Sequence, residues 1–471
     1  MGVPQGSVLS PLLWNYFIND ISTDAEVDES YADDLHGATS DVKPSNIAVS
    51  LSSAAQQLSD QAKEHGLSLS GPKSTVTLFT PWNKEYGRLP PVSVDGDVIP
   101  QDNHPKLLGV TYDPTLCFNS HALAMARKAS SRVNILRAVS ASSFGNDTEC
   151  LTATFKGIVQ PFFDYCAPVV SPFYSDASRK RLQLVQNRAL RHVTGAHLAS
   201  AIDHLHAEVG VLPVKDHLRL LSAQFLARAM QPIHPSHATV VAPDGLRCRK
   251  PTLLASVGDL VAPHLVDGVI PPGAYPEVIK SIHTQVVREA IDKSQPNRVL
   301  GFRPPRISPT EACLPRLSRT TLSQLRSGHC ARLNDYLYRI DRSDSDNCPD
   351  CLTLPASVQH LFECPANPTN LTTLDLWENP CETINFLSET SSFSHLEKAP
   401  PPHLRRRRPP PEPPPPLSPP PPVSPVSSLF SPFSFPSDLS LSSFSLTLSP
   451  PLTPLGAPLS PLGAAGSPHP L

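Results

Sequence analysis

Proline sets the outer limit on what this chain can pack. It accounts for 56 of 471 residues, about 12% against about 5% on average. Much of the excess follows Lys398. Arg405-Arg406-Arg407-Arg408 leads into Pro runs, and residues 424–471 are Ser, Pro, Leu and Phe with almost no charge. Proline has no amide N–H for a helix or a ladder. A stretch without a patterned apolar face cannot offset the entropy of ordering a chain. The expectation is a folded portion ending near residue 390 and a disordered Pro/Ser-rich tail over 391–471. The Arg run reads as a nuclear-targeting or phosphate-binding patch, or as a basic accident in a linker.

Inside the folded portion, two short motifs stand close together near the start. Gly2-Val3-Pro4-Gln5-Gly6-Ser7-Val8-Leu9-Ser10-Pro11 is a glycine-bracketed turn feeding a helix, with Ser10 as the cap and Pro11 at the first helical position. That helix is expected to carry an apolar side made of Leu13 and Phe17, with Leu12 and Tyr16 beside it. Tyr31-Ala32-Asp33-Asp34 follows, with polar flanks Val27-Asp28-Glu29-Ser30 and Leu35-His36-Gly37-Ala38 that read as a loosely held hairpin. Two adjacent carboxylates at a hairpin tip suit a hard divalent cation. An isolated Asp-Asp is also an ordinary solvated turn.

Further elements follow in a regular order. Residues 56–65 read as a helix, with Leu51, Ala55, Leu58 and Ala62 on one side. Gly71-Pro72-Lys73-Ser74 is a turn before a strand at Thr75-Val76-Thr77-Leu78-Phe79-Thr80. Val92 to Ile99 alternates around Asp95-Gly96, a strong hairpin signal, and Lys106 to Asp113 completes that region. From His121 the pattern turns helical. Arg127, Lys128, Arg132 and Arg137 occupy one part of a helix whose other part carries Leu123, Ala126, Val133 and Leu136. Such a face either is solvated or binds phosphates without reading sequence.

Taken together these motifs resemble the palm of a reverse transcriptase of the jockey-like non-LTR retrotransposon family. The resemblance covers roughly residues 2–390. It implies a two-metal nucleotidyl transfer with Mg²⁺ or Mn²⁺, using an RNA template, a DNA primer and dNTPs. It assigns Asp33 as the stronger metal ligand and Asp34 as the supporting one. Gln5 and Gly6 would form the floor beside the nucleotide and template. Lys73 would neutralise or protonate pyrophosphate, or be a solvated turn Lys. The basic helix looks like a thumb, in which Arg127, Lys128 and Arg132 bind phosphate. In this family a third metal-binding Asp precedes the Gly-x-Pro-Gln-Gly segment, which here begins one residue after Met1. The expectation is therefore an N-terminally truncated, inactive polymerase with an incomplete palm sheet and an unpaired edge. Asp20 and Asp24 are weak substitutes. The alternative expectation is a non-catalytic remnant that binds nucleic acid.

A second chemical signal lies near the C-terminal end of the resemblance. Cys348-x2-Cys351-x8-His360-x3-Cys364 offers three thiolates and an imidazole, a closed tetrahedral set for structural Zn²⁺. His360 and Cys364 would sit one helical turn apart. The surrounding residues, from Leu322 to Ile340 and Leu376 to Pro380, look like the C-terminal region of jockey-type elements. There Arg326, Arg332 and Arg339 would be presented to nucleic acid, or lie on a solvated helix face. His204 and His206 are most simply surface or core histidines.

The expected fold is α+β: a partial palm at 1–115, thumb and helical connection at 116–235, a loop-rich linker at 236–310, a helical region with the zinc knuckle at 311–390, then the tail. The net charge of −3 confines polyanion binding to local patches. The ten Cys are scattered apart from the Cys348 group, so the pattern is metal-binding rather than disulfide-rich. No apolar run approaches the roughly 20 residues of a membrane span, and residues 1–20 lack the form of a secretory signal. An intracellular protein, nuclear or cytoplasmic, with no membrane partner is expected.

Overall fold

The computed structural model describes residues 6–21, 27–141, 146–240, 252–271, 273–398 and 440–449. They fall into two compact units, one drawn from residues 1–105 and 438–471, the other from 106–437. Gln5, Asp24 and Arg405 to Arg408 lie outside the described residues.

The first unit is a sheet backed by a helix. Helix α1 (Ser10–Ile18) precedes a hairpin of β1 (Val27–Tyr31) and β2 (Asp34–Asp41). Ser10 is its first residue and not its cap: the cap position falls on Leu9, with no side-chain cap bond, and Pro11 is the second helical residue. Its apolar side is not where the pattern put it: Leu12, Leu13 and Tyr16 are exposed, whereas Ile18 is buried. Trp14 and Ile18, one turn apart, face inward instead. Helix α2 (Pro44–Glu64) buries Leu51, Ala55, Leu58 and Ala62 as read, together with Ile47 and Ala48. These pack on Leu35, Val76, Leu78, Val92 and Ile99.

Strands β3 (Ser68–Leu69) and β4 (Thr75–Phe79) flank a 3₁₀ turn at Gly71–Lys73. Strands β5 (Val92–Val94) and β6 (Asp97–Ile99) form the expected hairpin. Asp95 and Gly96 at its tip have φ of 51° and 87°, the pair of positive φ that a tight two-residue hairpin turn needs. Asp95 accepts hydrogen bonds from Lys63, Ser59 and Gln56 of α2, which hold its carboxyl down at about 2.

The sheet corrects one expectation. The order is β1-β2-tail strand-β3, where the tail strand is Ser440–Ser449, and β4 also pairs with that strand. β2 pairs with it antiparallel from Asp34↔Thr447 to Asp41↔Ser440. β4 pairs with it from Thr75↔Ser445 to Phe79↔Leu441. The tail is therefore not uniformly without structure, and the facing edges of β2 and β4 are not left open. The physical reason is local. Between Pro436 and Pro450 the tail has no proline, so this window alone can offer an unbroken run of N–H groups to two ladders.

The second unit is almost entirely helical. Its entry is a small ladder of β7 (Lys106–Leu107) and β8 (Val110–Thr111). Helix α3 (Asn119–Ala138) buries Ala122, Met125, Ala129, Val133 and Leu136, and leaves Arg127, Lys128, Arg132 and Arg137 exposed. Helix α4 (Thr148–Ile158) and the single turns α5 (Pro161–Asp164) and α6 (Ala167–Val170) lead to α7 (Asp176–Thr194), which packs along α3. Ser175 caps α7 through the Ser178 amide. Gly195 closes α7 at φ 72°, and a Cβ there would fall 2.5 Å from Thr320 Cγ2, so only glycine fits.

Helices α8 (Ile202–Val209) and α9 (Val214–Ala229) follow, then the turn α10 (His237–Val240). The expected loop-rich linker is more ordered than its sequence suggests. Helices α11 (Leu253–Val261) and α12 (Tyr275–Lys293, 19 residues) pack on α9 through Val257, Leu260, Ile282 and Val286. Arg219 of α9 bonds Asp259 and Glu289 of that pair.

The last part of the chain packs as α13 (Arg316–Ser327), α14 (Asn334–Arg339), α15 (Val358–Glu363), α16 (Asp375–Glu378) and α17 (Pro380–Leu387) around Leu322, Leu325, Leu376, Trp377 and Ile384. Arg316 donates to the carbonyls of His192 (2.9 Å) and Val193 (2.6 Å), which joins α13 to the negative end of α7.

Candidate functional site

The hairpin places Asp33 and Asp34 where the sequence reading put them. Tyr31 pairs with Asp34, so Ala32 and Asp33 form a two-residue turn. Ala32 has φ 54°, a left-handed conformation that costs a residue with a Cβ about 1 kcal/mol and concentrates at functional turns. Trp14 Nε1 donates to the Ala32 carbonyl at 2.8 Å, tying α1 to the tip. Asp33 is exposed and Asp34 half-buried. His36, two residues on, has its Nε2 buried with no partner among the described residues. Burial lowers its pKa and Asp34 partly opposes that shift. The sequence reading missed His36, and its alternation with Asp34 along β2 is the one signal that could have found it.

Register brings Lys73 to the same end of the sheet. Asp34 and Thr75 lie opposite Thr447 and Ser445 of the tail strand. Lys73 ends the 3₁₀ turn that leads into Thr75, and so lies beyond the end of the sheet that also carries Asp34. The Lys73 side chain is exposed. Gly6 has φ 88° with open space around it. Asp33 and Asp34 offer the oxygen ligands a hard cation prefers. Among the described residues, no third His, Cys or carboxylate joins them in a metal-sized cluster.

The Cys348 group is drawn together. Ligand atoms of Cys348, Cys351, His360 and Cys364 all lie within 4.8 Å of one another. Cys348 Sγ and Cys364 Sγ are 3.9 Å apart, and Cys351 Sγ is 3.3 Å from His360 Nε2. Tetrahedral zinc with bonds of about 2.3 Å to sulfur and 2.0–2.1 Å to nitrogen sets ligand atoms roughly 3.5–3.8 Å apart, so the donors and spacing fit. The knuckle is built by Cys348 N donating to Leu354 O and Leu352 N donating to Cys348 O. Ser357 caps α15 through the His360 amide and so aims the imidazole. Hydrogen bonds from Thr353, reinforced by His360, pull the Cys351 thiol down to about 6. Burial pushes Cys364 the other way.

Arg326 is not presented to nucleic acid. It is fully buried. Its guanidinium meets Glu208 at 2.7 Å, Glu311, and the Leu376 carbonyl at 2.9 Å, beside the Trp377 ring. Burial alone would lower its pKa, but Glu208 and Glu311 outweigh it and raise it. Arg319 adds a two-pronged bond to Glu149. Arg332 and Arg339 are exposed, the latter paired with Asp335 at 3.1 Å. His204 and His206 are core histidines: His204 contacts Ser323, and His206 meets Val211 O at 2.7 Å.

The described residues thus bring an acidic hairpin in an antiparallel sheet, followed along the chain by a basic helix. Residues 1–112 match the family described as reverse transcriptase (RNA-dependent DNA polymerase). The chain is 26% identical over 234 residues to a probable RNA-directed DNA polymerase from transposon X-element of Drosophila melanogaster, covering 48% of this chain and 25% of that protein. It is 25% identical over 248 residues to the RNA-directed DNA polymerase from mobile element jockey of the same fly, covering 50% and 26%. The probable polymerase from transposon BS gives 25% over 254 residues, 50% and 28%. The family reached from the motifs, the non-LTR retrotransposon reverse transcriptases, is the family these comparisons give. The chain spans about a quarter of the length of the curated relatives it matches. No solved structure matches it. Among the described residues no helix is long and apolar enough to cross a membrane.

Proposed function

We propose that this chain is part of an RNA-directed DNA polymerase of a jockey-like mobile element, acting on an RNA template, a DNA primer and dNTPs. The observation that carries the reading is the Asp33-Asp34 hairpin tip, inside the segment that matches the family. Asp33 and Asp34 would hold Mg²⁺ or Mn²⁺. Such ions, when bound, activate a 3′-hydroxyl and offset the charge of departing pyrophosphate. Lys73 supplies a mobile cation, and a proton, at that end of the sheet. Arg127, Lys128 and Arg132, exposed on α3, hold the nucleic-acid backbone without reading its bases. Gln5 and Gly6 form the floor beside the templating base. Cys348, Cys351, His360 and Cys364 hold a structural Zn²⁺ with no open ligand position.

The polypeptide of residues 1–471, taken by itself, is proposed to be inactive in primer extension, because among the described residues no further carboxylate joins Asp33 and Asp34 to complete a two-ion site. The second reading, nucleic-acid binding without catalysis, is favoured by the uncovered basic face of α3. Primer extension on an RNA template with Mg²⁺ or Mn²⁺ separates the two. Incorporation that Asp33→Ala abolishes would establish catalysis and overturn the inactivity.

A further inference from the structure

Two thiols that lie far apart along the chain meet in the last part of the helical unit. Cys313 ends the 3₁₀ turn Pro309–Cys313, and Cys381 is the second residue of α17. They are separated by 68 positions, yet their sulfurs are 3.4 Å apart, closer than the 3.9 Å between Cys348 and Cys364 in the knuckle. Both thiols donate to one acceptor, the Thr310 carbonyl, Cys313 at 3.0 Å and Cys381 at 3.4 Å. The backbone segments that carry them are tied together. Ser308 N donates to Trp377 O at 2.9 Å, and Arg326 bonds both Glu311 and the Leu376 carbonyl. Cys381 is buried and Cys313 half-buried. Neither belongs to the Cys348 set, and among the described residues no third donor joins them in a metal-sized cluster.

We propose that Cys313 and Cys381 are a peroxide-responsive thiol pair that closes into a disulfide. A disulfide sets its sulfurs about 2.05 Å apart, so closure needs an approach of only about 1.4 Å. Cys313 is the sulfur that solvent reaches. Its thiolate attacks an oxygen of hydrogen peroxide: the S–O bond forms, the O–O bond breaks, and hydroxide leaves and takes up a proton. The Cys381 thiolate then attacks the sulfenic sulfur of Cys313. The S–S bond forms, the S–O bond breaks, and a second hydroxide leaves as water. Two thiols give up two electrons and two protons, and one peroxide becomes two waters. The bond closes a ring around α13 to α16 and all four residues of the Cys348 set. A cross-link over a long loop removes freedom from the unfolded chain, so the oxidised form holds this part of the protein more firmly than the reduced form. In a reducing compartment such a bond is transient and regulatory rather than permanent. The pairing of these sulfurs stands apart from both the polymerase reading and metal binding.

The test exposes the reduced full chain to stoichiometric hydrogen peroxide, blocks the remaining thiols with an alkylating agent and maps the peptides by mass spectrometry. The expected product is a peptide pair joined through Cys313 and Cys381 and separated by dithiothreitol. The oxidised chain should melt several degrees above the reduced one. Cys313→Ser should abolish both the linked peptides and that difference. Cys150→Ser, which removes an exposed thiol elsewhere, should change neither. Recovery of Cys313 as sulfinic or sulfonic acid, with Cys381 still alkylated, would overturn the pair. So would preferential linkage of Cys313 to another cysteine or to a second chain. Linked peptides with identical melts in the two states would overturn the stabilising role.

Discussion

Trp14 Nε1 donates to the carbonyl of Ala32 at 2.8 Å, so the helix after the glycine turn holds the backbone of the acidic hairpin tip. The bond keeps Ala32 at positive φ and fixes where Asp33 and Asp34 begin. Trp14→Phe should cost about 1 kcal/mol of stability and raise amide exchange at Ala32 and Asp33. Unchanged exchange there would show that the turn holds its shape without α1.

The knuckle should take up one Zn²⁺ per chain, and cobalt should give a tetrahedral thiolate spectrum. Cys351→Ser should weaken binding sharply. Cys381→Ser should not, since Cys381 lies beside Cys313 at 3.4 Å and outside the ligand set. Cys351 is held at about 6, so its thiolate is formed at neutral pH and protons compete as pH falls below that value. Metal content near zero under reducing conditions would end the zinc reading.

The strand Ser440–Ser449 bonds both β2 and β4. Phe444→Pro removes an amide from the middle of the sheet and should lower the melting temperature. Loss of residues 399–471 should expose both edges and lower solubility. An identical thermal melt for Phe444→Pro would remove this strand from the sheet.

His121 is fully buried, with Nδ1 accepting from the Thr111 amide at 3.2 Å. Burial, helped by Lys128, lowers its pKa to about 4. The unfolded imidazole titrates near 6.5, so between those values the unfolded state binds more protons. The contribution is complete above pH 6.5 and is lost as pH falls toward 4, up to about 3 kcal/mol at about 1.4 kcal/mol per pKa unit. Urea melts at pH 7 and pH 5 should show that slope, and His121→Phe should flatten it.

Arg326→Ala leaves Glu208 and Glu311 buried without their partner and should cost about 3–5 kcal/mol. Arg332→Ala, on an exposed side chain, should cost under about 0.5 kcal/mol. Comparable melts for the two variants would mean that the buried network is not formed.

Much of this architecture was written locally. Asp95-Gly96 demands a tight hairpin by its own backbone preference, and the spacing of Leu51, Ala55, Leu58 and Ala62 marks the inward face of α2. The Cys348 set and the Asp33-Asp34 tip were legible for the same reason: each depends on residues a few positions apart. The long α12 was less legible, because its face makes sense only against α9.

The sequence by itself determined the β5–β6 turn, the inward face of α2, the Cys/His set at 348–364 and the acidic tip, since these follow from dihedral preference and short-range spacing. Only the tertiary structure decided which charges are available. Arg326 and Arg332 look alike on paper, yet Arg326 meets Glu208, 118 residues away, and is withdrawn from solvent. Arg137, Arg188 and Arg191 look like solvated helix charges, yet the packing of α3 on α7 gathers them around one cavity. The tail strand is the same kind of decision. A run of Ser and Leu carries no strong strand signal, and its order comes from two ladder edges contributed by residues about 400 positions earlier.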